Sequence, residues 1–529
     1  MAYSKQRLRE VAAIRKAAVQ RIRTQIYEID TSPSLKYIEE FTSEFADFEK
    51  VCSRDEVLNA AAKANLIWLG DYHVLADYQA FAEHFIRELA GIKPNLTLGL
   101  EPIFARHQRF LDRWMKGDIS EQEFLAGIRY EEEWGCDWTG YRAILTAARE
   151  LGIPVFGVDC HPRYDMRRIG RRDQGTALRI SRIIQSNPTQ TLVVLFGESH
   201  LASTHLPGRV RSILQAKNIL RREILILQNV DQLYWTVQEE GREGVEAVKI
   251  KNDQYCVFNA TPIEKYESFR QYLHRCIDED ASGTWTDFVH TLIDVMIEFV
   301  DPKRNYEIAD QLPKVYAGIP PARLPQFLAR QAIPWTQVKM ALDAMCESGT
   351  FYVPALNSIF IDRLHVGAAT EESTRFIHQA CRGDLLKSAD RAAPDQFFVM
   401  VIERALGYFC SKLLDSSRDG IEALSKRVLE QIGYNEQLTR AVASLLNPAR
   451  RPAGQHFETL RAAIGAASRS GKTMHMLGQL LGYTLGQSLY EAFLQSRISR
   501  KEIQALFRDP LDQPDGPMEC YRKLTERLS

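Results

Sequence analysis

Two short strings, Gly70-Asp71-Tyr72-His73 and Gly197-Glu198-Ser199-His200, each set a carboxylate and an imidazole within three residues of a glycine, and each follows an apolar run. Two similar junctions extend the pattern: LTLGL runs into Glu101, and VFGV runs into Asp159-Cys160-His161. Apolar runs of this length, bounded by turn residues, read as buried strands. Four strand exits then deliver Asp71, Glu101, Asp159 and Glu198, and three of them also deliver His73, His161 and His200. Ligands of open α/β sheets bind beyond the carboxyl ends of the strands, so parallel neighbours would bring these side chains to one pocket. Imidazole and carboxylate groups there can hold a divalent ion that activates water, with spare carboxylates as general bases. Any one of them alone reads as a polar cap of a strand or helix; four coincident exits point to a site.

The elements that must position these groups follow from periodicity. Strands are predicted at 65–70, 96–100, 154–158, 191–196 and 224–227, alternating with helix-period stretches at 78–90, 106–116, 121–128, 141–151 and 176–185. Further β-rich pieces at 233–238, 247–250 and 255–259 would finish the sheet or form an added edge, with Thr261-Pro262 as the exit. Strand–helix–strand alternation implies an α/β domain with a mostly parallel central sheet flanked by helices. Ahead of it, residues 7–26 carry apolar positions three or four apart, the mark of an amphipathic helix packed on its own protein. After residue 263 the pattern turns predominantly helical, with stretches near 285–300, 323–347, 395–415, 420–446, 456–468 and 473–507. The expected organisation is an N-terminal segment (1–49), an α/β domain (50–262) and an α-helical C-terminal domain (263–529).

Several local patterns carry less. The prolines and glycine of DPKRNYEIADQLPKVYAGIPPARLP argue against regular structure. Residues 350–353 and 358–362 could form the wing of a winged helix, but no basic recognition face follows. Ser470-Gly471-Lys472-Thr473 fails as a phosphate loop, because spacing and helical context are both wrong. Gly478, Gly482 and Gly486, four apart on one helix face, suit close helix packing within the chain, with a homodimer seam through the helical domain as the alternative.

Composition bounds the function. With Lys+Arg 67 against Asp+Glu 68 and a net charge of −1, no global field draws the protein to nucleic acid or an anionic membrane. Hydrophobic residues at 45% rule out a largely disordered chain. The longest apolar runs fall well short of the roughly 20 residues that a membrane span needs. The opening residues, with basic side chains at intervals, read neither as a secretory signal nor as a lipidation site. Nine cysteines scattered without a CxxC pair fit a reducing cytosol, so the expected location is cytoplasmic.

In order, LIWLGDYH, LGLEPIFARHQRFLDRWMKGDISEQEFL, DWTGYRAILTAARELGIPVFGVD, RRDQGTALRI and VVLFGESHL resemble the ChaN-like, haem-binding-uptake branch of the Tiki superfamily, over residues of about 50–235. The family has two Gly-x-x-His motifs with a Glu between them; its first motif usually carries Glu where this chain has Asp71. The resemblance implicates His73, Glu101 and His200 as metal ligands, with Asp71, Glu198 and Arg172 near them and Trp138 and Tyr141 lining the site. What it implies is divided, since Tiki-like relatives include metal-dependent peptidases, esterases with a His base and haem-binding lipoproteins; the first expectation is a metal-dependent, peptidase- or esterase-like hydrolase of a small-molecule or peptide substrate. In it a Zn, Mn, Co or Fe ion is bound by His73, Glu101 and His200, Asp71 or Glu198 activates water, and Arg172 stabilises negative charge. Tyr72, Trp138, Tyr141, Asp159 and His161 would face the substrate. Alternatives are haem or another tetrapyrrole in the same pocket, with Tyr72, His73, Cys160, His161 or His205 as axial ligand, a metal-free esterase with a His base, and a non-catalytic scaffold whose helical half binds a partner. Of the basic run RRIGRRDQG, with Arg167, Arg168, Arg171 and Arg172, only Arg172 is kept for the site.

Overall fold

A computed structural model describes residues 3–30, 36–160, 169–242, 244–277, 282–300, 311–382, 393–418, 420–432, 471–509 and 511–528. The chain forms two compact units, one of residues 28–238 with 244–272, the other of residues 1–27, 239–243 and 273–529.

The first unit is built on an eight-stranded sheet: β1 (Lys50–Cys52), β2 (Leu66–Asp71), β3 (Leu96–Phe104), β4 (Val155–Asp159), β5 (Thr191–Gly197), β6 (Glu223–Gln228), β7 (Ala247–Lys251) and β8 (Gln254–Val257). Their spatial order is β1-β7-β8-β6-β2-β5-β3-β4. From β8 to β4 every pairing is parallel, and β7 and β1 add an antiparallel edge. The central strands are mostly apolar up to their carboxyl ends because both faces are covered, as parallel sheets require. On β2, Ile67 and Leu69 join the core under the helices Ala76–Ile92 and Thr139–Glu150. Leu66 and Trp68 point the other way, into the core with Ala177, Ile180 and Ile184 of Ile169–Ser186 and Leu206 and Val210 of Leu206–Gln215. This period-two alternation makes three layers, helix–sheet–helix.

One expected strand is corrected. Residues 233–238 lie in the helix Asp231–Glu239, where Leu233, Tyr234 and Val237 are buried. Their spacing is helical; the aromatic and β-branched composition disguised it.

The second unit is helical. The N-terminal helix Lys5–Ile29 buries Leu8, Val11, Ala12, Val19, Ile22 and Ile26. Its Arg15 donates to the carbonyls of Leu413 (2.8 Å) and Lys412 (2.9 Å), orphan acceptors at the end of the helix Ala393–Leu414. The predicted helix at 323–347 is two, Leu324–Arg330 and Trp335–Ser348, interrupted at Pro334. The hairpin is present as β10 (Thr350–Val353) and β11 (Ser358–Ile361). Beside it runs β9 (Lys314–Ala317), a strand inside the stretch expected to be irregular, paired parallel to β11. Residues 456–468, much of 420–446 and Ser470 fall outside the described residues.

The glycine stripe packs inside the chain. A Cβ at Gly486 would lie 2.6 Å from the Ala405 carbonyl and 2.9 Å from Tyr408 Cβ, so Gly471–Leu494 lies directly on the backbone of Ala393–Leu414. Gly486→Ala should therefore destabilise by about 1–3 kcal/mol through overpacking, although alanine favours a helix over glycine by roughly 1 kcal/mol. Thermal unfolding reads this directly, and an unchanged or raised Tm would contradict it.

Candidate functional site

The polar exits meet at the carboxyl edge of β2, β5, β3 and β4. Asp71 pairs in register with Gly197, which puts the exits of β2 and β5 side by side. Both motif glycines lie within their strands rather than in turns. Gly197 matters for space: a Cβ there would come 3.2 Å from His73 Nε2, 3.4 Å from Glu101 Oε2 and 3.4 Å from His200 Cδ2. Three groups that the sequence singled out therefore surround one point above this glycine.

Glu101 reaches it through an irregularity. Between Leu100 and Phe104 the register of β3 against β4 shifts, and Glu101-Pro102-Ile103 fill the break. Such an interruption bends a strand and re-aims its side chains. Gly157 on β4 permits the approach, since a Cβ there would lie 2.6 Å from the Ile103 carbonyl.

His73 is held by Asp71. Its Nδ1 lies 2.8 Å from Asp71 Oδ2, while its Nε2 faces Glu101 Oε2 at 3.6 Å. Asp71 is itself fixed by the Tyr141 hydroxyl at 2.5 Å and the side-chain amide of Gln79. The His73 side chain is 27% exposed, against 1% for Asp71 and for Glu101, so the imidazole is the part that solvent reaches. The ring packs on Trp134 at 4.6 Å between centroids.

Arg172 is enclosed by carboxylates. Its Nε and Nη2 donate to Asp159 at 3.0 and 2.8 Å, and Nη2 also donates to Glu101. Burial alone would pull the guanidinium down, but Glu101 and Asp159 outweigh it and hold the group above its ordinary value. The second Glu101 oxygen accepts from the Gly197 N–H at 2.5 Å. His200 Nδ1 lies 2.6 Å from Asp173 Oδ1, and its Nε2 lies 3.4 Å from Arg172 Nη1. A guanidinium can only donate, so Nε2 is the acceptor and Nδ1 carries the proton toward Asp173.

These contacts bear on the expected metal ion. Of His73, Glu101 and His200, the last two already accept from donors, Glu101 from Arg172 and the Gly197 N–H and His200 Nε2 from Arg172, while His200 Nδ1 donates to Asp173. A buried cation already stands where a metal bridging Glu101 and His200 would have to be. Among the described residues no group of three or more His, Cys, Asp or Glu is arranged to hold a metal. The donor set does not fit a divalent ion.

Other expectations part from the cluster. Glu198 turns to Lys265, with Nζ 2.7 Å from Oε1 and the Tyr78 hydroxyl at 3.4 Å. Burial raises this carboxyl above its usual range, only partly offset by Lys265. Tyr72 packs near the same pair, 5.1 Å from Lys265 Nζ to its ring centre. Trp138 packs with Trp114, Phe124 and Tyr130 in the core; the indole at the site is Trp134. Asp159 serves as the seat of Arg172. Cys160 is half-buried and burial pushes its thiol up, so it rests as a neutral thiol. His205 is taken up by Glu40 and the Ser199 carbonyl, both at 3.0 Å. His161, Arg167 and Arg168 lie outside the described residues. Sequence reasoning missed Gln79, Trp134, Asp173 and Lys265; an acid beside Arg172 in RRDQG was the available signal for one of them.

Residues 57–176 match the family model described as haem-binding uptake, Tiki superfamily, ChaN. Over those residues the α/β unit is similar to the ChaN-like branch of the Tiki superfamily, in line with the resemblance of its first motifs. Two solved structures are similar over part of the chain. One is described as cofacial heme binding to ChaN of Campylobacter jejuni: 13% identity, TM-score 0.27, covering 34% of this chain and 87% of that one. The other is the type III effector HopBA1: 14% identity, TM-score 0.29, covering 41% of this chain and 98% of that one. Comparison with curated proteins gives no match. Among the described residues no helix is long and apolar enough to cross a membrane.

Proposed function

We propose that the α/β unit is a hydrolase of a carbonyl substrate, ester or amide, in which His73 activates water without a metal ion. The observation that carries this reading is the Asp71–His73 pair, 2.8 Å apart, with Asp71 braced by Tyr141 and Gln79. A carboxylate on Nδ1 fixes the tautomer, leaving the Nε2 lone pair toward the space above Gly197. There Nε2 takes a proton from water, the hydroxide adds to the carbonyl carbon, and the bond to the leaving oxygen or nitrogen breaks. His73 Nε2–H returns its proton to that leaving atom, so one water is consumed and the imidazole is restored. Arg172 orients Glu101 rather than meeting a free anion, since two carboxylates already satisfy it.

The family match favours a second reading, a haem-binding protein. The donor chemistry fits at one place: His73, with Nδ1 held by Asp71, a partly exposed ring and Trp134 beside it, would serve as axial ligand. Bound there, haem would supply redox or oxygen chemistry.

One pair of measurements tests both. A panel of chromogenic esters and amides is assayed with and without chelator, and haemin is titrated into wild type and His73→Ala. Chelator-resistant turnover lost in His73→Ala supports the hydrolase. A Soret shift that depends on His73, without turnover, replaces it with the haem reading. Gly197→Ala adds a check, since its methyl would force His73 and Glu101 aside by a few tenths of an ångström. Turnover should fall about 10- to 100-fold with the fold intact, and unchanged turnover would place the reacting position elsewhere.

A further inference from the structure

The helix Lys36–Glu44, outside the family-matched segment, is fastened beside the exit of β5 by side chains on one face. Glu44 accepts from the Ser203 backbone N–H (2.8 Å) and hydroxyl (3.0 Å), and Glu40 bonds His205 Nε2 (3.0 Å). The Tyr37 ring stacks on His205, centroids 3.6 Å apart and planes within 8°. Its hydroxyl goes deeper, donating to Asp173 Oδ2 and lying 3.1 Å from His200 Nδ1. Asp173 is fully buried, and its other oxygen faces the same Nδ1 at 2.6 Å. Burial, then the Asp173 carboxylate, push the phenol above its ordinary value, so it remains a protonated donor.

We infer that Tyr37 is a positioning residue of the site, holding Asp173 and through it the Nδ1–H tautomer and ring plane of His200. The phenol donates to one carboxylate oxygen and His200 to the other, which fixes the carboxylate plane between them. Without the phenol the buried carboxylate can turn, and the imidazole loses its fixed partner. The tautomer matters because it makes His200 Nε2 an acceptor for Arg172, the same guanidinium that grips Glu101 beside His73. A continuous chain, Tyr37–Asp173–His200–Arg172–Glu101, therefore links the helix to the reacting position. The inference rests on the hydrolase reading for what the site does, but its test does not use turnover.

The full-length chain, with 15N-labelled histidine, is followed by imidazole proton–nitrogen NMR. In wild type, His200 should show a single neutral tautomer with a slowly exchanging Nδ1–H. In Tyr37→Phe it should show mixed tautomers, or an Nδ1–H that exchanges at least tenfold faster. Glu44→Ala, which removes the acceptor of both Ser203 bonds without touching Asp173, should leave the His200 signals in place. Asp173→Asn, as a second route, should disturb His200 as Tyr37→Phe does. Unchanged His200 signals in Tyr37→Phe, or the same change in Glu44→Ala, would overturn the inference. If His73→Ala keeps hydrolysis while Tyr37→Phe still disturbs His200, the hydrolase reading fails and the positioning role stands.

Discussion

Asp71→Asn should lower turnover of any ester or amide that the protein hydrolyses by about 10²–10⁴-fold, close to the loss in His73→Ala. The amide keeps the size of the carboxylate and can keep its contact with the Tyr141 hydroxyl, so the fold should survive. What changes is the hydrogen bond to His73. An asparagine that turns its NH2 toward Nδ1 makes that nitrogen an acceptor and forces the proton onto Nε2, where the base is needed. The double variant should be no worse than His73→Ala alone, because residues that act as a unit do not add. Steady-state kinetics of the four proteins form the test. If Asp71→Asn stays within a few-fold of wild type while His73→Ala is inactive, Asp71 does not orient the base.

The second large effect is on stability. Arg172→Met should cost about 3–5 kcal/mol, because it leaves the buried Glu101 and Asp159 without their counter-ion. At 2–4 °C per kcal/mol for a unit of this size, Tm should fall by roughly 6–20 °C. A triple variant that also carries Glu101→Gln and Asp159→Asn should recover much of this, since neutral amides bear burial far better than unpaired carboxylates. Calorimetry separates the cases. Equal destabilisation of the single and triple variants would mean that lost packing, not uncompensated charge, is the cause.

The sheet was legible because parallel strands buried on both faces are unbroken apolar runs, and their carboxyl ends are where polar side chains become informative. β3 was read too short, since Glu101 and Pro102 look like a stop and only the irregular pairing with β4 carries the strand to Phe104. That His73, Glu101 and His200 could meet was legible from their places at strand exits, on the condition that those strands are parallel neighbours. Their chemical states were not, because those depend on Arg172, Asp173, Gln79 and Tyr37, which arrive from helices whose phase is set by core packing.

Trp134 and Trp138 show the limit on a small scale. Both follow a short helix, but left-handed Gly135 turns the chain between them, so the ring at His73 is the one not chosen. The helix Val366–Arg382 escaped notice for the opposite reason. Every residue from Val366 to His378 is buried, including the polar run Thr370 to Arg375, which reads as a solvated loop or face in the sequence. Its Glu371 and Glu372 instead find Arg404 at 2.7 and 2.9 Å, and Glu372 also finds Arg375 at 2.5 Å. Its polar face is turned inward, onto partners of its own, rather than toward water.

The grip of Arg15 on Lys412 and Leu413 also imposes an order of events on the ribosome. Arg15 and Leu413 are 398 residues apart, which at about 5–20 residues per second is a wait of roughly 20–80 s. In that interval the α/β unit, finished by residue 272, can close on itself. The helix Lys5–Ile29, made well before its partners, meanwhile carries Leu8, Val11, Ile22 and Ile26 uncovered, a ready client for a holding chaperone until those partners are made.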